Sequence, residues 1–258
     1  MSVFRDNVSH LEISFKTLQL PAPFSHTYHL LLDLTQPDPV VDFNIHYTER
    51  ETLSDEEIMD EGFTPQDDYQ WQGSLDKVWK PEVVDQLLST NKLTNTPKLH
   101  AQQVLKLKAS YNNDKQIKGI PDNATSWEYF VQEVIQAIYE LSGKELPLEV
   151  IYHEVTPDYQ HTVSICPSFS HRNMLTTHQQ GDEQYKKEHN WDLFKPLMEA
   201  IYLPDYDTEQ ASESIPNQPG KYIMPGDGYW YQLGVAVRNP GKKRDVLQEM
   251  EDRIGQLS

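Results

Sequence analysis

The chain has 258 residues, of which 40 are acidic and 22 are basic, so its formal net charge at pH 7 is −18. A surface of that sign repels nucleic acid and anionic lipid, so we expect no nucleic-acid or membrane partner and favour a basic protein instead. The single cysteine excludes an intramolecular disulfide, no apolar run approaches the length of a membrane span, and no secretory signal is visible. These features predict a soluble, cytoplasmic protein.

The N-terminal third has the pattern of β-strands. Two strand-like runs, Phe24–Leu34 and Val40–Thr48, are joined by a short segment with two prolines, which is typical of a turn. In the second run Val41, Phe43 and Ile45 alternate with polar residues, as in a strand that buries one face. The two runs therefore predict a hairpin.

Residues 49–68, here called the acidic segment, follow this hairpin. They contain nine carboxylates and one arginine, a local charge of −8. Ser54 and Glu57 have the spacing of a capping box, so the segment is predicted to contain a short helix. We expect this surface to bind a basic protein through six carboxylates: Asp55, Glu56, Asp60, Glu61, Asp67 and Asp68.

The next part of the chain predicts a second short helix opened by Pro81, a polar connector over 89–97 and a strand. The strand is indicated by Leu105 and Leu107, which alternate with lysines. Residues 98–118 contain five lysines and one aspartate. We interpret this basic stretch as an intramolecular counterpart of the acidic segment.

The clearest helix is predicted over Ser126–Leu141. Its apolar residues, among them Trp127 and Val134, recur at the spacing of one buried stripe. Thr125 and Glu128 have capping-box spacing and predict the N-terminal end.

Four further elements are predicted downstream: a hairpin over 148–166, a helix over 191–203, a hairpin about the turn at 225–228, and a helix over 242–257. The order of elements predicts an α+β fold with a mainly antiparallel sheet built from hairpins and packed by several amphipathic helices. We expect a β-rich region with an acidic helical insertion over 1–95 and an α+β region over 96–258. A single continuous domain is the alternative.

Histidines provide the alternative reading of function. Five of the ten lie between His153 and His189. Imidazole and carboxylate together suit zinc or iron, so a site around His153, Glu154 and His161 would indicate a metal-dependent enzyme. The spacing matches no metalloprotease motif, and the structural interpretation is a set of hydrogen-bonded or surface histidines.

Two other groups have alternative interpretations. Lys242, Lys243 and Arg244 stand at the start of the predicted last helix, where free backbone amides and cations together form an anion site; a solvated basic tip is the other interpretation. Cys166 lies in a strand-like run, where a free cysteine is more often a small buried hydrophobe than a nucleophile.

No nucleotide-binding or hydrolase signature is present in the sequence. We therefore interpret the chain as a non-enzymatic binding or scaffold protein, without a cofactor, that uses an acidic, aromatic-containing surface to bind a basic protein partner. Immunity proteins, inhibitors and assembly proteins have this character. The metal-dependent enzyme remains the alternative.

Overall fold

The computed structural model describes residues 8–97, 101–241 and 243–257. The chain divides into two compact units, Met1–Ser142 and Gly143–Ser258. The division therefore lies after Ser142 and not near residue 95, because the strands on both sides of the connector at 89–97 belong to one sheet. No helix within the described residues is long and apolar enough to cross a membrane.

The first unit is built on a seven-stranded antiparallel sheet. Its elements are β1 (Val8–Thr17), β2 (His26–Asp33), β3 (Val40–Tyr47), α1 (Asp55–Asp60), β4 (Tyr69–Ser74), α2 (Trp79–Leu88), β5 (Leu93–Thr94), β6 (Gln103–Tyr111), β7 (Gln116–Pro121) and α3 (Ala124–Ser142). The strand order is β4-β3-β2-β1-β6-β7-β5. The predicted hairpin corresponds to β2 and β3, and the predicted long helix corresponds to α3.

The two faces of the first sheet differ in polarity. On one face Leu11 and Ile13 are completely buried, and Phe43 contacts Tyr139 of α3 with their ring centroids 6.5 Å apart. The opposite face carries polar side chains, including the partly exposed Glu12. This difference follows from the alternation of side chains along a strand and leaves one face accessible to solvent.

The second unit contains a six-stranded antiparallel sheet and a separate pair of short strands. Its elements are β8 (Val150–Val155), β9 (Gln160–Ser168), β10 (Asn173–Gln180), β11 (Glu183–Asn190), α4 (Phe194–Tyr202), β12 (Asp205–Tyr206), β13 (Gly220–Met224), β14 (Tyr231–Gln232), β15 (Val237–Arg238) and α5 (Val246–Gly255). The larger sheet has the order β11-β10-β9-β8-β13-β14, and β12 pairs with β15. One hydrophobic cluster includes Ile165 of β9, Ile201 of α4 and Met250 of α5. The α+β class and the antiparallel sheets are thus confirmed.

Two helix starts differ from the sequence prediction. Helix α3 begins at Ala124, so Thr125 lies inside its first turn and does not cap it; the carbonyl of Asn123 accepts the first helical hydrogen bonds instead. Helix α5 begins at Val246 and not at residue 242, because Asp245 takes the N-cap position with its side chain. In both cases the residue at the end of the preceding loop sets the boundary.

Candidate partner-binding surface

The acidic segment contains the predicted capped helix. The Ser54 hydroxyl accepts the amide of Glu57, and the Ser54 amide donates to the Glu57 carboxylate at 2.8 Å, which completes a capping box. Ile58 is the buried residue of α1. The side chains that α1 and its C-terminal end expose to solvent are Asp55, Glu56, Glu57, Met59, Asp60 and Glu61. Met59, a large apolar side chain among these carboxylates, is 55% exposed.

Arg50 holds the acidic segment to the rest of the first unit. Its side chain is only 10% exposed. Nε and one terminal nitrogen of the guanidinium donate to the carbonyl of Pro23 at 3.1 and 3.0 Å. The other terminal nitrogen donates to the carbonyl of Thr64 at 2.9 Å and to the carboxylate of Asp67 at 3.2 Å. One arginine therefore connects both ends of the acidic segment to the loop that precedes β2.

The carboxylates of Asp67 and Asp68 form hydrogen bonds within the first unit. Asp67 accepts the amide and the hydroxyl of Thr64 at 2.9 and 2.6 Å. Asp68 accepts the amide of Tyr47 at 2.8 Å and contacts the ring of His46. Partial burial acts to raise the pKa of both carboxyls, but these hydrogen bonds more than offset it and both pKa values are lowered. Two of the six predicted partner-binding carboxylates thus order the segment, and the four at α1 remain exposed.

Some of the charges at α1 oppose the stability of the helix, although Asp55, Glu56 and Glu57 in its first turn favour the helix dipole. Glu56 and Asp60 are four residues apart and repel each other on one face, which costs a few tenths of a kcal/mol. Asp60 and Glu61 lie at the C-terminal end, where the helix dipole disfavours anions, and the last turn has no basic residue. A cation bound at this surface would relieve both effects.

Three lysines of the basic stretch lie on strands away from the acidic segment. Lys106 and Lys108 lie on β6 and Lys118 lies on β7, whereas the acidic segment connects β3 to β4. In the sheet, β1 and β2 separate β3 from β6. Lys108 donates to Glu12 of β1 instead, at 3.0 Å. The acidic segment therefore receives no compensating charge from these three residues.

The residues of the alternative metal site do not converge. His153 and Glu154 are consecutive on β8 and so point to opposite faces of the sheet; the register places Glu154 opposite His161 and His153 opposite Thr162. His153 is buried, accepts the Thr162 hydroxyl at 2.8 Å through Nδ1 and donates from Nε2 to the carbonyl of Pro216 at 3.2 Å. Both of its nitrogens are thus used in the fold. In the described part of the chain, no three His, Cys, Asp or Glu side chains are arranged to hold a metal ion.

Two other histidines of this region form a polar network around one threonine. The Thr176 hydroxyl lies 3.1 Å from Nε2 of His178 and 2.9 Å from Nε2 of His189, and all three side chains are buried. The His178 ring stacks on Tyr185 at 4.6 Å and on His161 at 5.8 Å. Burial lowers the pKa of His178 and of His189, so both are neutral at pH 7. This network has the features of a structural core element.

Cys166 is half-buried beside a hydroxyl and a carboxylate. Its sulfur lies 3.7 Å from the hydroxyl of Ser164 and 4.0 Å from the carboxylate of Glu149. Burial raises the pKa of the thiol. A nucleophilic cysteine needs the opposite shift, so this environment does not activate Cys166.

The predicted anion-binding residues do not adjoin free helix amides. Lys242 lies outside the described residues, and Lys243 and Arg244 precede α5. The first two amides of α5 donate to the side-chain oxygen of Asn239 at 2.8 and 3.2 Å. Arg244 donates two hydrogen bonds to Glu249, both at 2.8 Å. The first amides of α5 and the Arg244 guanidinium, on which the anion site would depend, are therefore already bonded within the protein.

Comparison of the chain with family models, with curated proteins and with solved structures gave no significant match.

Proposed function

We propose that this chain is a non-enzymatic binding protein whose acidic segment holds a basic protein partner. The observation that carries the proposal is the exposure of four carboxylates, Asp55, Glu56, Asp60 and Glu61, on a capped helix that Arg50 ties to the fold. An ordered surface loses little conformational entropy when a partner binds, which favours affinity. No cofactor is needed for this role.

The chemistry of the surface specifies the partner. Carboxylates on both sides of Met59 suit a segment in which lysines or arginines flank one apolar side chain, since that side chain would cover the exposed thioether. Opposite charges speed association and make it sensitive to salt. An immunity protein for a basic toxin, an inhibitor and an assembly factor would each use such a surface.

The test is recovery of a partner by the tagged protein from its native host at low and high salt. A fourfold variant removes the exposed charges: Asp55→Asn, Glu56→Gln, Asp60→Asn and Glu61→Gln. A control variant removes the same charge from exposed sites elsewhere: Asp38→Asn, Asp85→Asn, Glu145→Gln and Glu213→Gln. We expect a stoichiometric basic protein that the wild type and the control retain at low salt, that high salt releases, and that the fourfold variant does not retain.

Equal retention by the fourfold and control variants would contradict the proposal, as would a partner that high salt does not release. Metal content is measured on the same preparations. Stoichiometric zinc or iron that is lost when His153 or His161 becomes Gln would favour the metal-dependent enzyme instead.

A further inference from the structure

The polar face of the first sheet contains a groove in which lysines collect. The groove has a volume of about 280 Å³ and lies over β1, β6 and β7, with residues at β5 along one side. Its polar lining comes chiefly from Glu12, Ser14, Asn95, Lys106, Lys108 and Lys118. In a chain with almost twice as many acidic as basic residues, a groove with three lysines and one carboxylate is a local inversion of charge.

The register of the strands brings the three lysines together. Lys108 of β6 lies directly opposite Lys118 of β7, which places their Cα atoms about 5 Å apart. Lys106 is two residues from Lys108 on the same strand, so it lies on the same face at a distance of about 7 Å along the strand. On the other side of β6, Lys106 lies opposite Ser14 and Lys108 opposite Glu12. The three ammonium groups therefore share one small area of the sheet.

Only part of this positive charge is neutralised within the protein. Glu12 accepts Lys108 Nζ at 3.0 Å and lies 3.2 Å from Nε2 of His29. These hydrogen bonds lower the pKa of Glu12, which is therefore ionised at pH 7. Lys106 and Lys118 are exposed and have no ion-pair partner among the described residues. The groove thus has a net charge of about +2, and the opposed lysines of β6 and β7 destabilise the sheet slightly.

The backbone gives the groove its wall. Gly119 of β7 has a φ of +151°, and a Cβ at this position would lie 2.8 Å from the carbonyl oxygen of Thr94 and 3.0 Å from Cβ of Leu93. The absence of a side chain lets β5 approach β7 this closely. As a result Thr94 and Asn95 stand beside the lysines and close one side of the groove.

We propose that this groove binds a small molecule that carries a phosphate monoester group. Such a group has a charge of about −1.5 to −2 at pH 7, which matches the unneutralised charge of the groove. Lysines act as mobile point charges for phosphate oxygens, and the Ser14 hydroxyl and the Asn95 amide add neutral donors. The acidity of the whole chain disfavours an extended polyanion, but its field is screened beyond about 8 Å at physiological salt and leaves a short-range site intact.

The test is calorimetric titration of the full chain with glycerol 3-phosphate at physiological ionic strength, with acetate and citrate as carboxylate probes. The double variant Lys106→Gln/Lys118→Gln is expected to weaken phosphate binding at least about tenfold. The control, Lys16→Gln/Lys77→Gln, removes the same charge from exposed lysines of the first unit that do not line the groove, and it should change the affinity less than about twofold.

Amide shifts in ¹H–¹⁵N spectra of the wild-type protein locate the site without any variant. Glycerol 3-phosphate should shift the amides of Ser14, Lys106, Lys108 and Lys118 and leave the acidic segment unchanged. Absence of binding, shifts that are confined to other regions, or an equal loss of affinity in the control variant would overturn the site. Citrate that binds as tightly as glycerol 3-phosphate would overturn the assignment to phosphate.

Discussion

The guanidinium carbon of Arg50 lies 4.0 Å from the centroid of the Tyr47 ring, within cation–π range. It also lies 4.9 Å from the centroid of the Phe63 ring, so the single cation of the acidic segment contacts two aromatic rings. The same guanidinium donates hydrogen bonds to Pro23, Thr64 and Asp67. Its positive charge, its planar shape and its N–H donors therefore all take part in contacts with the protein. Arg50 is therefore the structural centre of a segment whose remaining charges are negative.

The first prediction is that Arg50→Ala lowers the free energy of unfolding by about 2–4 kcal/mol, since it leaves a carboxylate and two carbonyls without their charged donor. Arg50→Lys should give an intermediate loss because it keeps the charge but not the planar fork. Urea unfolding measures the difference. Arg244→Ala, which breaks an ion pair of an arginine that is 61% exposed, is the control and should cost less than about 1 kcal/mol. Equal losses in the two alanine variants would contradict the central role of Arg50.

A second prediction concerns Gly73 of β4. A Cβ at this position would lie 2.3 Å from the indole ring of Trp71, so Gly73→Ala must displace that ring. We expect a loss of about 1–3 kcal/mol and a change in the near-ultraviolet circular dichroism of the tryptophans. Gly255→Ala is the control, because nothing lies within 4 Å of its Cβ position at the end of α5; it should stabilise the protein by about 0.4–1 kcal/mol. Unchanged stability and dichroism in Gly73→Ala would show that Trp71 does not depend on this glycine.

The sequence predicts those elements that are determined by residues close together in the chain. The alternation in β3, the apolar stripe of α3 and the Ser54–Glu57 capping box each depend on residues a few positions apart. Strands β10 and β11 were missed, because Thr176, His178 and the exposed residues of β11 show no apolar alternation. Their pairing is a property of the sheet and is not visible in either segment alone.

The limits of the units and the details of the surface depend on contacts between distant residues. Strand β1 pairs with β6, so that Leu11 lies opposite Ala109 and the first unit extends well past residue 95. The acidity of residues 49–68 is evident from composition. The ion pair between Arg50 and Asp67, however, depends on the path of the loop that brings them together. The exposure of Met59 likewise depends on Ile58 being the residue that α1 buries. Charge was therefore predictable, whereas the division of the carboxylates between folding and exposure was not.

The third prediction tests the network around Thr176. Thr176→Val keeps the shape of the side chain but removes the hydroxyl that lies between His178 and His189. Buried imidazole nitrogens without a partner are costly, so the variant should be less stable by about 1–3 kcal/mol in urea unfolding. Thr177→Val, the same substitution at the next residue and on the opposite face, should change stability by less than about 0.5 kcal/mol. If Thr177→Val lowers the free energy of unfolding as much as Thr176→Val does, the loss is due to the change in strand propensity and not to the hydrogen-bond network.

The last prediction is a dependence of stability on pH that originates in the same network. Burial lowers the pKa of His178 and of His189 from the ordinary value of 6.5, and the neighbouring His161 adds to the effect at His178. Below pH 6.5 the unfolded chain therefore binds protons that the folded chain does not. The contribution of these two neutral histidines to the free energy of unfolding is therefore complete above pH 6.5. It is lost as the pH falls from 6.5 through the lowered pKa values. The urea midpoint should thus be lower at pH 5.5 than at pH 7.5.

The variant His178→Phe measures how much His178 contributes to the pH dependence of the urea midpoint. It removes the titrating imidazole and keeps an aromatic ring against Tyr185. The difference between the two midpoints should be smaller in this variant than in the wild type. Tyr185→Phe leaves every histidine in place and should retain the wild-type difference. Carboxyl groups contribute equally to the wild type and to both variants, so they cancel in the comparison. If His178→Phe shows the full wild-type difference, the buried imidazole of His178 is not a source of the pH dependence.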